Sequence, residues 1–503
     1  MDNTLPAITL FDYLHDSKED ILRYGKLLVG LSIGDIFDLY RNQITEDIPE
    51  KYYNTKKKGF EGDVVEQLYF GLDANSRQEA DLKSAEVELK VTCVEERKDG
   101  SYKAGERLSI TNIDYNGPIE PDFFKSHVWE KIHYILLVHY LRNHSIPKFE
   151  YEFKFVNLFT PPEEDLLIIR NDYAIINKYI SSGRAHLLSE SLTDYLGAAT
   201  KGAKTAKSMR PQYYGDHSLA RKRNFSLKIQ YMEFILHHHI IKNAESERIV
   251  KNAKILKYHT FEEYTKELIS SRLGSTDEDL CRELKIDYRP KDNKQTWAGI
   301  VLRLLGIIGN RAEEFEKAGI EVKTIKRNAN GRIKESMSFP AFKFKELVNE
   351  EWEESEVYKF FAGTRFLLVE FVEHDGKYVL ASVNYWGMPI SDLEGPVKDA
   401  WERTVDTIRK GVVLTRKKNG SVSNNLPKIS DHSILHVRPH ADKAAYRFED
   451  GTEIGNVEKD ANELPDGRWM TTQCFWLNSE YLEEVLDSIK GTTTPKRRKS
   501  NKK

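Results

Sequence analysis

With 503 residues the chain is long enough for two or more domains, each with a sizeable core. Its 76 Lys and Arg nearly balance 79 Asp and Glu, which excludes an overall polycationic character, so any nucleic-acid surface must come from local clustering. Cys93, Cys281 and Cys474 are far apart without CxxC spacing; they argue against a disulfide framework or zinc site, and with no signal peptide and no membrane-length apolar run they point to a reducing cytoplasm.

The first informative element is GFEGDVVEQLYFG, helical in period, with Val64, Val65, Leu68 and Tyr69 apolar and Glu66 inside the turn they make. The next, EADLKSAEVELKVT, carries Asp81, Glu88 and Lys90 in the spacing D-x6-E-x-K. AEVELKV alternates and reads as a strand, so Glu88 and Lys90 share a face, and Asp81 lies just upstream where it can fold back onto that face. Two carboxylates in one site repel unless a cation lies between them, and hard oxygen ligands suit Mg²⁺. The triplet therefore points to a metal-dependent phosphodiesterase. SHVWEKIHYILLVHYL, a helix or strand with an apolar body, places Lys131 near its start as a second electrostatic clamp on a phosphate.

Between 201 and 228 the basic residues are Lys201, Lys204, Lys207, Arg210, Arg221, Lys222, Arg223 and Lys228, against the single acid Asp216. With Tyr213 and Tyr214 among them, this segment is the expected DNA-binding surface, because a phosphodiesterase needs phosphate contacts to set its register. His237, His238 and His239 are consecutive and point to different sides of a helix, so they are read as a helix end rather than a metal site.

Taken together, Gly62-x3-Glu66, the QE-x-D run ending at Asp81, Glu88-Leu89-Lys90-x-Thr92 and Ser126-His127-Val128-x-x-Lys131 resemble the mismatch-repair endonuclease MutH. The later segments TDYLGAATKG, RKRNFSLK, MSFPAFKF, NEEWEESE and HVRPH are more similar to the longer, tandem-domain, staphylococcal-type type II restriction endonucleases that cut at GATC. The resemblance implies catalytic or metal-site roles for Glu66, Asp81, Glu88, Lys90 and Lys131. It also implies Mg²⁺-dependent double-strand cleavage 5′ of the G, leaving 5′-phosphate ends, with a cognate methyltransferase protecting the host DNA. In the same comparison Arg210-Pro211-Gln212 falls where MutH-like proteins carry R-P-K on a base-reading loop. Ser226 stands where they carry an aromatic ring, which implies indifference to adenine methylation. Alternatives of other kinds are a strand-nicking mismatch-repair enzyme and a catalytically silent DNA-binding regulator.

The second half reads as a damaged copy of the first. EEFEKAGIEVKTI repeats the spacing with Glu314, Glu321 and Lys323; Arg303 takes the place of Glu66 and Ala362 that of Lys131. FWLNSEYL echoes FSLKIQYM, and HVRPH, with Arg438 and His440, is assigned to the place of Arg210-Pro211-Gln212. A guanidinium where a cation should bind predicts a copy that keeps the fold and a DNA-reading surface but not the chemistry. The expected architecture is α/β: two tandem restriction-endonuclease-like (PD-(D/E)xK) domains, each a mixed curved sheet flanked by helices. The expected division is a catalytic domain over 1–245, a degenerate DNA-binding or allosteric domain over 246–490, and a disordered basic tail over 491–503. A dimer or a looped complex on two sites is the assembly this arrangement suggests.

Overall fold

The computed structural model describes residues 8–44, 47–73, 79–202, 205–287, 294–333, 335–431 and 434–490. Lys204 and the expected basic tail lie outside the described residues. The chain divides into two compact units, residues 1–264 with 307–320 and residues 265–306 with 321–503. Among the described residues no helix is long and apolar enough to cross a membrane.

The first unit opens with helices α1 (Lys18–Lys26) and α2 (Ile33–Gln43), started by Ser17 and by a Ser32–Asp35 capping box. Their apolar residues Ile21, Tyr24, Ile36 and Phe37 share one core with Leu136, Val138 and Phe153 of the main sheet. GFEGDVVEQLYFG forms the α-turn Phe60–Asp63, which runs on into a π-helical turn, Val64–Tyr69. The main sheet contains β1 (Glu88–Glu96) and β2 (Tyr102–Ala104); β3 (Leu108–Asn112) belongs to a second sheet. SHVWEKIHYILLVHYL resolves into both readings: Ser126 caps helix α3 (His127–Ile132), and the β-branched and apolar run after it is β4 (Ile135–Leu141). Six of the seven β4 residues are buried, as befits a strand covered on both faces.

After β5 (Phe153–Phe159) and helix α4 (Glu163–Ser181) come β6 (Leu196–Thr200), the hairpin β7 (Met209–Pro211) and β8 (Leu219–Arg221), then β9 (Arg223–Leu227) and helix α5 (Ile229–Phe234). The main sheet has the order β2-β1-β4-β5, with β1 parallel to β4, so Glu88 lies opposite Ile135 and Lys90 opposite Leu137. The second sheet is β3-β9-β6, antiparallel throughout.

The expected break at 245/246 falls inside the first unit. The charged stretch 242–257, expected to be the linker between the domains, is not one: its residues 246–250 pair with residues 308–314, which return to this unit. Glu247 forms a parallel bridge with Ala312, and Glu314 accepts the N–H groups of Ile249 and Val250, each at 2.9 Å. Helix α6 (Glu313–Ala318) carries Lys317, which is 1% exposed and pairs with Asp165 at 2.7 Å and Glu313 at 2.7 Å. Paired charges on a buried helix face are invisible to an apolar-periodicity reading, which is why this segment looked like a linker.

The second unit repeats the plan. Strands β10 (Ile320–Arg327), β12 (Arg365–His374) and β13 (Lys377–Gly387) form a sheet in the order β10-β12-β13, as β1, β4 and β5 do. A second sheet has β11 (Met337–Phe342) and β14 (Leu435–Pro439) on either side of β17 (Gln473–Leu477), matching β3-β9-β6. Helix α7 (Glu356–Gly363) is capped by Ser355 as α3 is by Ser126. A left-handed residue precedes the first strand in both copies, Glu86 at φ 55 and Gly319 at φ 65.

Two assignments of the repeat change. HVRPH lies on β14, the counterpart of β6: His440 N–H donates to Thr472 as Lys201 N–H donates to Lys222. The counterpart of the Arg210 hairpin is β15 (Ala461–Glu463) with β16 (Trp469–Thr471), where Asn462 lies opposite Met470 as Arg210 lies opposite Ala220. In the damaged site, Glu321 and Lys323 pair with each other at 2.8 Å, with the Glu321 side chain 41% exposed. Glu314 is committed to the backbone of 249–250 in the first unit. The end of α7 is Phe360-Phe361-Ala362, with no ammonium to serve as Lys131 does.

Candidate active site and nucleic-acid surface

Parallel pairing of β1 with β4 brings α3, just upstream of β4, to the start of β1, and this joins the charged residues. Glu88 is 1% exposed and is held by two ammonium groups. Lys90 Nζ lies 2.5 Å from its Oε1, while Lys131 Nζ lies 2.8 Å from Oε1 and 3.0 Å from Oε2. Lys131 also donates to the Glu79 carbonyl at 3.2 Å, tying α3 to the segment that leads into Asp81. Asp81 folds back as expected: its Oδ2 accepts the Leu89 N–H at 3.1 Å, one residue beyond Glu88. A buried carboxylate is tolerable only when paired in this way.

Glu66 and Asp81 lack a comparable partner. Burial first, and then the negative charge of Asp81, pushes the Glu66 carboxyl up to about 7, with Lys90 pulling the other way. Burial and then Glu88 push Asp81 upward, against Lys90 and Lys131. The Glu66 side chain comes from the π-helical turn, which Tyr24 and Tyr69 clamp by donating reciprocally to each other's carbonyls at 2.9 and 3.0 Å. Carboxyls pushed up by burial and by the negative charge of neighbouring carboxyls, Asp81 on Glu66 and Glu88 on Asp81, are a donor set that a divalent cation would relieve, so these residues fit such an ion. Among the described residues no three His, Cys, Asp or Glu side chains are already gathered around one point. The His237–His239 tract agrees: His237 meets Asn243, His238 stacks on Phe234 and His239 faces Phe159.

The basic segment needs correction. Lys201 is exposed, and Arg210, half-buried, donates to the Lys207 and Met209 carbonyls. Five of the residues expected to touch DNA are buried. Gln212 is spent on Ala185 N–H, Ser218 and His186. Arg221 donates to the Gly202 carbonyl, Arg223 to the Ala198 carbonyl and Lys228 to the Thr193 carbonyl. Ser226 is 1% exposed at the centre of its sheet. These cations are turned inward and hydrogen-bonded to backbone carbonyls, which a count of charges cannot show. In the second unit Arg438 and His440 are exposed, and both approach Trp476, whose ring centroid is 4.9 Å from the guanidinium carbon. Trp476 escaped the sequence reading; the register of β14 on β17 reveals it.

Known proteins of one family share sequence with both units. The family model described as DNA mismatch repair enzyme MutH matches residues 70–172 and 308–382, one stretch in each copy. The type II restriction enzyme Sau3AI of Staphylococcus aureus is 35% identical over 461 residues, covering 86% of this chain and 93% of the relative. The DNA mismatch repair protein MutH of Shewanella amazonensis is 27% identical over 225 residues, 44% of this chain and 94% of its own length. That of Klebsiella pneumoniae is 24% identical over 241 residues, 47% of this chain and 98% of its own. With such identity over most of both chains, the protein belongs to the MutH-like type II restriction endonucleases, site-specific deoxyribonucleases built from two tandem restriction-endonuclease-like domains.

Proposed function

We propose that the enzyme cuts both strands of duplex DNA at GATC, 5′ of the G, leaving 5′-phosphate ends, with Mg²⁺ as its ion and a cognate methyltransferase protecting host DNA. The observation that carries the catalytic part is the meeting of Asp81, Glu88, Lys90 and Lys131 at the start of β1, with Glu66 close enough to feel the charges of Asp81 and Lys90. Asp81 and Glu88, aided by Glu66, would hold the ion, which when bound polarises the scissile phosphate and supplies an acidified water. Lys90 sits on the same strand face as Glu88 and orients the attacking water. Lys131, anchored to Glu79, holds its ammonium against the developing phosphate charge.

The second unit keeps the exposed Arg438 and His440 over the half-buried Trp476, beside a ruined acidic site. It therefore binds DNA without cutting, engages a second site, and loops the DNA between, either within one chain or in a dimer. Digestion of plain and adenine-methylated plasmid with Mg²⁺, followed by sequencing of the ends, tests the cleavage reading. Ends that do not map to GATC would remove the specificity. Equal binding but no cutting by both the wild type and Asp81→Ala would leave a silent regulator instead. Nicks confined to one strand of hemimethylated GATC would favour a mismatch-repair-type enzyme.

A further inference from the structure

The turn that carries Glu66 has a pitch of its own, and tyrosines sustain it. Phe70 N–H donates to the Val65 carbonyl, five residues back, and Leu72 N–H to that of Glu66. Such a turn is rare, and its side chains stand out of α-helical register. Its last carbonyls face the core, where they need donors. The Tyr24 hydroxyl donates to the Tyr69 carbonyl at 2.9 Å, and the Tyr13 hydroxyl to the Phe70 carbonyl at 2.9 Å. The Tyr69 hydroxyl donates back to the Tyr24 carbonyl at 3.0 Å, and the two rings stack with centroids 4.7 Å apart. Tyr24 and Tyr69 are wholly buried. Gly25, beside Tyr24, lies so close to the main sheet that a Cβ there would come within 3.0 Å of Val156 and 3.3 Å of Leu136. The pair thus ties the Glu66 turn, through α1, to the sheet that carries Glu88 and Lys90.

The damaged copy has neither the pair nor the pitch. Gly274 stands at the place of Gly30: both are left-handed, at φ 87 and φ 90, and their N–H groups donate to Leu380 and Phe153 of the matching strands β13 and β5. Counting the same distance back from each glycine sets Leu268 at the place of Tyr24. Arg303 takes the place of Glu66, and Gly306 that of Tyr69. The element there is a regular α-helix, Lys294–Leu304, followed by Leu305 N–H on the Val301 carbonyl, four residues back. The acid, the wide turn and the two phenols are present together in one copy and absent together from the other. Core packing alone does not explain that coincidence.

We propose that Tyr24 and Tyr69 are positioning residues for the acidic site: their hydroxyls hold the π-helical turn at its wide pitch and so set the direction from which Glu66 faces Asp81 and Glu88. This rests on the reading of Glu66 as an aid in holding the divalent ion. Groups that orient a metal ligand from behind are as much a part of its affinity as the ligand itself. Without the hydroxyls the turn loses the donors on its last carbonyls, and the regular helix of the second copy shows the alternative open to this segment.

The test uses the full-length enzyme without DNA, with Mn²⁺ as the probe and the free ion read by electron paramagnetic resonance. Tyr24→Phe and Tyr69→Phe keep the rings and remove the hydroxyls; each is made alone and together with Glu66→Gln. Each should bind Mn²⁺ about tenfold to a hundredfold more weakly than the wild type. Added to Glu66→Gln, neither should weaken binding further, because the residue they act through is gone. On DNA, the Mg²⁺ concentration for half-maximal cutting should rise by a similar factor, with a smaller change in the rate at saturating Mg²⁺. Unchanged Mn²⁺ affinity in both variants overturns the proposal. So does a loss of equal size with and without Glu66, or a failure of both variants to fold, either of which marks the pair as core packing. A wild type that binds no Mn²⁺, or a Glu66→Gln enzyme that binds it as the wild type does, fails the reading of Glu66 at the ion instead, so the two failures are separable.

Discussion

Removing Lys317 should unfold part of the catalytic unit from a position far from its chemistry in sequence. The Lys317 ammonium, 1% exposed, bridges both oxygens of Asp165, which is 2% exposed, and one oxygen of Glu313. In Lys317→Met the aliphatic volume is retained, but Asp165 keeps only the Tyr231 hydroxyl at 2.8 Å. Breaking a buried pair from one side typically costs about 3–5 kcal/mol. Burial already pushes the Asp165 carboxyl upward and Lys317 is the largest influence holding it down, so the variant's Asp165 should take up a proton in the folded state. A carboxyl whose pKa is raised on folding contributes stability at low pH that is lost as pH rises. The deficit is therefore greatest near pH 8 and shrinks toward pH 5. Hydrogen exchange resolved by peptide should show α4, α5 and α6 exchanging about a hundredfold to a few thousandfold faster at pH 8. Asp165→Asn in the same background should restore much of the loss, and the double-mutant cycle should give a coupling above about 2 kcal/mol. A cost under about 1 kcal/mol, or one that does not change with pH, would refute the assignment of this pair as the clamp that holds α6. The same reasoning expects a fragment ending at residue 245 to be unstable, since it lacks α6 altogether.

In the presence of a chelator, the wild type should lose about 1–3 kcal/mol between pH 5 and 8 as Glu66, raised to about 7, ionises, after discounting for its partial exposure. Glu66→Gln should flatten that slope and also blunt the rise in melting temperature on adding Mg²⁺; an unchanged slope would show that burial and Asp81 do not raise Glu66. Duplex binding across a salt series separates the basic residues. Exposed Lys201→Ala should lower the logarithmic salt slope by about 0.9, whereas buried Lys228→Met should leave it unchanged and reduce stability instead. A lower slope for Lys228→Met would mean that the segment opens on DNA. Initial rates on plain and fully N6-methylated duplexes should agree within a fewfold, whereas Ser226→Tyr, at a position 1% exposed, should overpack the sheet and cost about 1–3 kcal/mol of stability on either substrate. A hundredfold loss for the wild type on methylated DNA would reject this.

The spacing of Glu88 and Lys90 was legible because it is local: strand alternation alone sets both side chains on one face. The arrival of Lys131 was not. It depends on β1 and β4 being parallel and in the register that sets Glu88 opposite Ile135, a pairing across 47 residues that no local pattern encodes. Sequence reading offers Lys131 as a second clamp near the phosphate, and the likeness to a known family ties it to this site, but neither gives the register that delivers it. The basic segment and the return of 307–320 failed for one shared reason: sequence reading assigns charges to solvent. Arg221, Arg223, Lys228 and Lys317 are instead internal, the first three hydrogen-bonded to carbonyls and Lys317 paired with Asp165. The repeat is informative here because it exposes the two kinds of position separately. At Ser226 and Gly197 the second copy has Trp476 and His436, so those positions can change without loss of the sheet. The Ser caps before α3 and α7 and the left-handed residue before each first strand recur in both copies, although only one has the acidic site. The recurring features hold the backbone, and the features that differ, such as the acidic site kept in only one copy, are free to change on that frame.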